Sequence, residues 1–230
     1  MADKPSRAVV LYGDGLVRFV DPSHIHLHSL ASKASCGFLS LPIAPSLSED
    51  ERIVREFALL LDAYEAYHDT VRSTSLVTIS ERFMGMKAAI FTNNASLKSF
   101  GTKLGFSVFQ IDVLYKNSPA GAEPPVDFGA SELLKLLGFQ VGKTVETSQY
   151  DLVNVEKDKA TDDVGYLNAL VGAITQIAQP GSEIGARLHL SVVTSYGRSQ
   201  KRMIPTCQSH LEKMMKILIF QSSFLVKVTP

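Results

Sequence analysis

The chain of 230 residues carries 23 basic and 23 acidic side chains, a formal net charge of +0, and is 45% hydrophobic. That balance leaves no electrostatic footprint for nucleic acid or an anionic membrane surface, and no run approaches the ~18 apolar residues of a membrane span. Met1-Ala-Asp-Lys-Pro5 is polar, unlike a signal peptide, and Cys36 and Cys207 lie too far apart in sequence to form a ligand pair. A sizeable core and unpaired cysteines predict a soluble, cytoplasmic protein.

The first element expected is a buried strand over Ala8 to Leu11, ending in Gly13-Asp14-Gly15. A short apolar run closed by glycines fits a central parallel strand. In open α/β sheets, sites gather outside the carboxyl ends of such strands. Asp14 is therefore either a metal or phosphate-site residue, or an aspartate in a tight turn. Asp21-Pro22-Ser23 is a helix start with Ser23 as cap, opening a segment from His24 to Ala34. His24, His26 and His28 are spaced by two, which spreads them over different helix faces, so they are not read as a metal cluster.

Cys36 to Leu41 reads as a short strand and Pro42 to Pro45 as a loop. Ser48-Glu-Asp-Glu51 is a capping box. It opens a helix expected to run to about Tyr67, with Ile53, Val54, Phe57, Leu60, Leu61 and Tyr64 as its core stripe. Ser73 to Ser80 is a polar connector. From Lys87 onward strands and helices alternate. A strand over Ala88 to Thr92 leads through the cap Asn93-Asn94 to a helix over Ser96 to Leu104, closed by Gly105. Phe106 to Asp112 is the next strand, Ser118 to Pro125 a loop, and Ala130 to Leu137 a helix ended by Gly138. A strand over Tyr150 to Val155 and a charged turn from Glu156 to Asp163 precede a helix over Leu167 to Ala178. Leu188 to Thr194 is the last strand of the rhythm.

This alternation predicts an α/β fold, a mostly parallel central sheet with helices on both faces. The tail after Gly197 breaks the rhythm. His210 to Phe220 suits a single helix, and the tail has no assigned place in the fold. The expected division is therefore a core over residues 1–197 and a tail over 198–230.

Three groups at strand ends could carry chemistry: Asp14; Asp158 with Lys159, Asp162 and Asp163; and Thr194-Ser195-Tyr196. Acids beside a lysine at one sheet edge suit a divalent metal and a phosphate. Asp162 and Asp163 equally suit a helix cap with the other charges solvated. Gly138-Phe-Gln-Val-Gly-Lys143-Thr144 is not read as a phosphate loop, because its glycine interval is one residue short and it follows a helix. No Gly-x-Ser-x-Gly elbow is present around Ser131.

Tyr150-Asp-Leu-Val-Asn-Val155 and then Lys159-Ala-Thr-Asp-Asp-Val-Gly-Tyr166 resemble a segment of the cofactor-independent phosphoglycerate mutases, members of the metal-dependent alkaline phosphatase superfamily. In that family a strand leads to an Asp, three residues and a metal-binding His, as in Thr-Asp-Glu-Ala-Gly-His. Asp162 falls on that aspartate and Gly165 on the glycine. Asp14 falls on the family's first metal aspartate. Arg82 to Ile90 resembles the approach to its later strands, and Val192-Val-Thr-Ser-Tyr-Gly197 the strand before an Asp-His pair. The chain departs from the pattern at Tyr166, which stands in place of the histidine. Ser195-Tyr196-Gly197 replaces the Gly-Asp-His, and no segment resembles the motif bearing the phosphorylated serine.

The resemblance implies an alkaline phosphatase-like α/β core lacking most of the mutase insertion domain. It implies metal-dependent interconversion of 2- and 3-phosphoglycerate, with an incomplete catalytic set. Mn, Mg or Zn would be held by Asp14, Asp162 and Asp163, with Asp158 as a helper. Lys159 would meet the phosphate of a small phosphorylated metabolite. The alternative is a non-catalytic binding or regulatory protein on the same fold.

Overall fold

A computed structural model describes residues 7–42, 48–64, 77–115, 126–140, 143–145, 147–157, 161–195 and 214–223. Strand β1 (Arg7–Gly13) is followed by a 3-10 turn, helix α1 (Ile25–Lys33) and strand β2 (Ser35–Pro42). Helix α2 (Glu49–Leu60), the short α3 (Ile79–Arg82), β3 (Ala88–Phe91), α4 (Ala95–Lys103) and β4 (Ser107–Phe109) come next. Helix α5 (Val126–Leu136) leads to a small hairpin, β5 (Phe139–Gln140) and β6 (Lys143–Thr144). Then follow β7 (Leu152–Lys157), α6 (Thr161–Ile177), β8 (Leu188–Ser195) and β9 (Met214–Ser223).

The described strands form a seven-stranded sheet in the order β2-β9-β8-β1-β7-β3-β4. The run from β8 to β4 is parallel throughout, and β9 lies antiparallel to both β8 and β2. Each face is covered. Val9, Leu11, Val153, Val155, Leu190 and Val192 point to one side, where they meet α1, α5 and α6 through Leu30, Leu133 and Leu170. Tyr12, Ile90 and Val193 point to the other, against Ile53 and Phe57 of α2, Ile79 of α3 and Leu97 of α4. The expected fold class, a mostly parallel sheet between two helical layers, is what the structure has. Each fully buried aliphatic side chain of these clusters contributes about 1.5–3 kcal/mol relative to exposure.

The differences from expectation have local causes. Helix α2 keeps its capping box: Ser48 accepts from the Glu51 amide at 3.2 Å and Glu51 accepts from the Ser48 amide at 2.8 Å. It stops at Leu60 rather than near Tyr67, because Asp62 takes a left-handed backbone with φ 52°. Ser23 does not cap α1. His24 holds that position without a side-chain bond to the helix amides, and Ser23 turns back to Asp21. The polar connector contains a second capping box, Thr78 with Glu81, which starts α3. The strand expected over Phe106 to Asp112 is only Ser107–Phe109, since Ile111–Tyr115 winds into a 3-10 helix. The charged turn is shorter than expected: Glu156 and Lys157 belong to β7, and α6 already begins at Thr161.

The largest correction is in the tail. Part of the helix expected over His210 to Phe220 is strand β9, registered from His189↔Ser223 to Ser195↔Ile217 on one side and from Ser35↔Gln221 to Pro42↔Met214 on the other. A short apolar run such as Ile217-Leu-Ile-Phe220 fits a buried strand as readily as a helix, and two waiting strand edges decide in favour of the strand. Residues 210–213 lie outside the described residues.

Candidate functional site at the carboxyl edge of the sheet

The period-two pleat decides which side chains share the carboxyl edge. Tyr12, Glu156, Thr92 and Ser195 all belong to the face that α2 covers, and Asp14 follows directly on the end of β1. The register places Tyr12 opposite Glu156, and Gly13 between Lys157 and Thr194. The Asp14 amide donates to the Lys157 carbonyl at 3.2 Å, which carries the β1–β7 pairing one residue beyond the strand. Gly15 then turns with φ 67°, a left-handed conformation that suits glycine. Its amide donates to Ser195 Oγ at 2.8 Å.

Onto this edge α2 lowers Arg52 and Glu56, each one residue before a core side chain, Ile53 and Phe57. The Phe57 ring sits 4.7 Å from that of Tyr12. Arg52 Nη2 donates to Asp14 Oδ1 at 2.5 Å and to Glu49 Oε2 at 2.9 Å, and its Nη1 donates to Glu56. The Tyr12 hydroxyl donates to the other Glu56 oxygen. Ser195 Oγ donates to Asp14 Oδ1 at 2.7 Å. Thr92 Oγ1 donates to Glu156 Oε2 at 2.6 Å. Asp14, Glu56, Glu156 and Ser195 are each 0% exposed and Arg52 is 8% exposed, so this is a desolvated ionic network. Burial alone would pull the Arg52 guanidinium down. Hydrogen bonds and charge from Asp14, then Glu49, outweigh that and hold it above its ordinary value. Arg52 is therefore a permanent cation.

On the opposite face of the same edge, Lys157 Nζ pairs with Asp163 Oδ1 at 3.2 Å and sits 4.6 Å from the centroid of the Tyr166 ring. The hydroxyls of Tyr166 and Tyr115 are hydrogen-bonded. Burial pushes both phenols up, most strongly Tyr166, which its bond to Tyr115 and the Asp163 charge raise further.

Of the residues expected to form a site, Asp14 and Asp163 both come to the carboxyl edge, each already engaged by a cation. Asp162 lies in the first turn of α6, with its side chain outside the described residues. Lys159, Asp158 and Tyr196 are outside the described residues. Among the described residues no group of three or more His, Cys, Asp or Glu side chains is placed to hold a metal ion. Asp14 Oδ1 already accepts from a guanidinium and a hydroxyl. Tyr166, at the position of the expected histidine, holds its oxygen against another phenol. Among the described residues this donor set does not fit the divalent metal that the resemblance implies.

Sequence reasoning missed Arg52, Glu56, Glu156, Thr92 and Tyr12. One signal was available: Glu49, Arg52 and Glu56 stand at i, i+3 and i+7, the spacing of ion pairs along one helix stripe. That spacing reveals the pairs but not their burial. Burial follows only from the neighbouring Ile53 and Phe57 meeting the sheet.

No family model and no curated protein sequence matches the chain. Solved structures do. The lipoteichoic acid synthase LtaP from Listeria monocytogenes aligns over 96% of this chain and 66% of its own, with 10% identity and TM-score 0.54. A protein in the alkaline phosphatase superfamily from Vibrio parahaemolyticus aligns over 97% of this chain and 61% of its own, with 12% identity and TM-score 0.49. The cofactor-independent phosphoglycerate mutase from Thermoplasma acidophilum aligns over 64% and 28%, with 13% identity and TM-score 0.32. The chain thus spans just under two thirds of LtaP, and what the two share is the fold. No described helix is long and apolar enough to cross a membrane.

Proposed function

We propose that the chain is a phosphoglycerate mutase-like protein on a phosphoryl-transfer-type fold that works as a non-catalytic binding or regulatory protein. The mutase likeness rests on the order of strand-end motifs in the sequence, with Asp14 after β1 and Asp162 in the first turn of α6. One observation carries the non-catalytic reading: the Asp14 carboxylate, the residue that would hold a metal, is joined to Arg52 at 2.5 Å inside the protein. Two-metal phosphoryl chemistry needs several carboxylate and imidazole ligands free to bridge ions and phosphate oxygens.

The other reading is metal-dependent interconversion of 2- and 3-phosphoglycerate. The position of Asp14 beside the Ser195 hydroxyl favours it, since a carboxylate and a hydroxyl at the carboxyl edge are the right classes of group. A coupled mutase assay at high protein concentration with excess Mn²⁺ separates the two. The expected result is no turnover above that of Asp14→Asn. Turnover that Asp14→Asn abolishes would sink the non-catalytic reading. In the same preparation without metal, 3-phosphoglycerate should raise the melting temperature if the protein binds phosphorylated metabolites.

A further inference from the structure

We infer that Arg52 is an internal replacement for the divalent cation that the sequence resemblance implies: the protein supplies the charge at its carboxyl edge from its own helix. Three observations converge. The guanidinium touches three carboxylates, Asp14 from β1 and Glu49 and Glu56 from α2. Two of these, Asp14 and Glu56, are 0% exposed, where carboxylates persist only beside a compensating cation. Asp14 is also the aspartate that the sheet topology sets at the end of the central strand, next to β7 and β8.

A metal ion and a guanidinium solve the same electrostatic problem differently. The ion gathers oxygens around a point and leaves coordination positions for substrate and water. The guanidinium is a planar fork with five donors, no acceptor and no open coordination position. Its Nη2 serves Asp14 and Glu49, its Nε also donates to Glu49 at 3.3 Å, and its Nη1 serves Glu56. The fork is tethered by α2, whose capping box and Phe57–Tyr12 contact fix the helix on the sheet. Helix α2 and strand β1 are thereby tied by an ionic bond that no chelator can remove.

This deepens the non-catalytic reading. Cation uptake is measured apart from turnover, so a failure of either is told from a failure of the other. Calorimetric titration with Mn²⁺ is run on the full chain, on Asp14→Asn, on Arg52→Gln, and on Asp14→Asn/Arg52→Gln. The wild type should take up no Mn²⁺ through Asp14. Arg52→Gln should bind it at least roughly tenfold more tightly than the wild type, a change of about 1.4 kcal/mol. The double variant should lose that gain. Stoichiometric Mn²⁺ binding by the wild type, abolished in Asp14→Asn, would overturn the inference. So would an Arg52→Gln protein that folds yet gains no affinity, because Arg52 would then be an ordinary ion-pair partner. If Arg52→Gln does not fold, the double variant decides. Recovered folding supports Arg52 as the countercharge of Asp14, and loss in both overturns it.

Discussion

The two ends of the Asp14–Arg52 bond should not be equivalent, and their inequality measures how the network is built. Arg52→Met keeps most of the side-chain stem and removes the charge. Asp14 and Glu56, both 0% exposed, then lose the cation that holds them. Breaking a buried pair by deleting one partner costs about 3–5 kcal/mol, because the remaining charge stays buried without that countercharge. The third contact adds little, since Glu49 is a third exposed at its side chain and water replaces the pair.

Asp14→Asn is milder. An amide oxygen still accepts from Arg52 Nη2 and Ser195 Oγ, and Arg52 keeps Glu49 and Glu56. Charge-assisted bonds become neutral-acceptor bonds, a loss of about 1–2 kcal/mol. For a chain of this length each kcal/mol shifts the melting temperature by roughly 2–4 °C. The expected falls are therefore about 6–20 °C for Arg52→Met and about 2–8 °C for Asp14→Asn. Thermal unfolding followed by far-ultraviolet circular dichroism measures both falls, and urea unfolding measures the energies, with an unchanged m-value showing that the change is in stability rather than in compactness. An Asp14→Asn variant as unstable as Arg52→Met would refute a network centred on the guanidinium.

Two further outcomes follow from groups outside this network. The Tyr115 and Tyr166 phenols are pushed up in the folded protein, foremost by burial, so their contribution is whole below the unfolded tyrosine value of ~10 and is lost as pH rises through the folded values. Unfolding midpoints should therefore decline above about pH 10, and Tyr166→Phe should flatten that decline. A wild-type midpoint that holds steady through this range would count against a buried tyrosine pair. At the amino end of β1, Arg7 donates to the carbonyls of Leu137 and Val145 and lies 5.5 Å from the centroid of the Phe139 ring. Arg7→Met should cost about 2–4 kcal/mol through the two carbonyls it leaves without a charged donor, while the Mn²⁺ titration stays as in the wild type. A change in that titration would mean that the two ends of β1 are coupled.

How much of this could be read from the sequence follows from which physical signals are local. Strands β1, β3, β7 and β8 show in the sequence because a buried parallel strand is a short apolar run bounded by glycine or polar residues. The cap at Ser48 shows because its partners, Glu51 and the helix amides, are within three residues. Strand β9 does not show, because a run such as Ile217 to Phe220 becomes a strand only when β8 and β2 present their edges. The site divides along the same line. Asp14 is legible because its position depends only on where β1 ends. Arg52 is not, because a charged residue on an amphipathic helix is a solvated one by default, and the alternative depends on a carboxylate 38 residues earlier in the chain. That distance bears on how the site can change. A metal centre loses its function when one ligand is lost, but its buried acids still need a cation. On this sheet any helix that packs Ile53 and Phe57 against Tyr12 also sets the residue before Ile53 over the end of β1. An arginine there satisfies the acids without rebuilding the core.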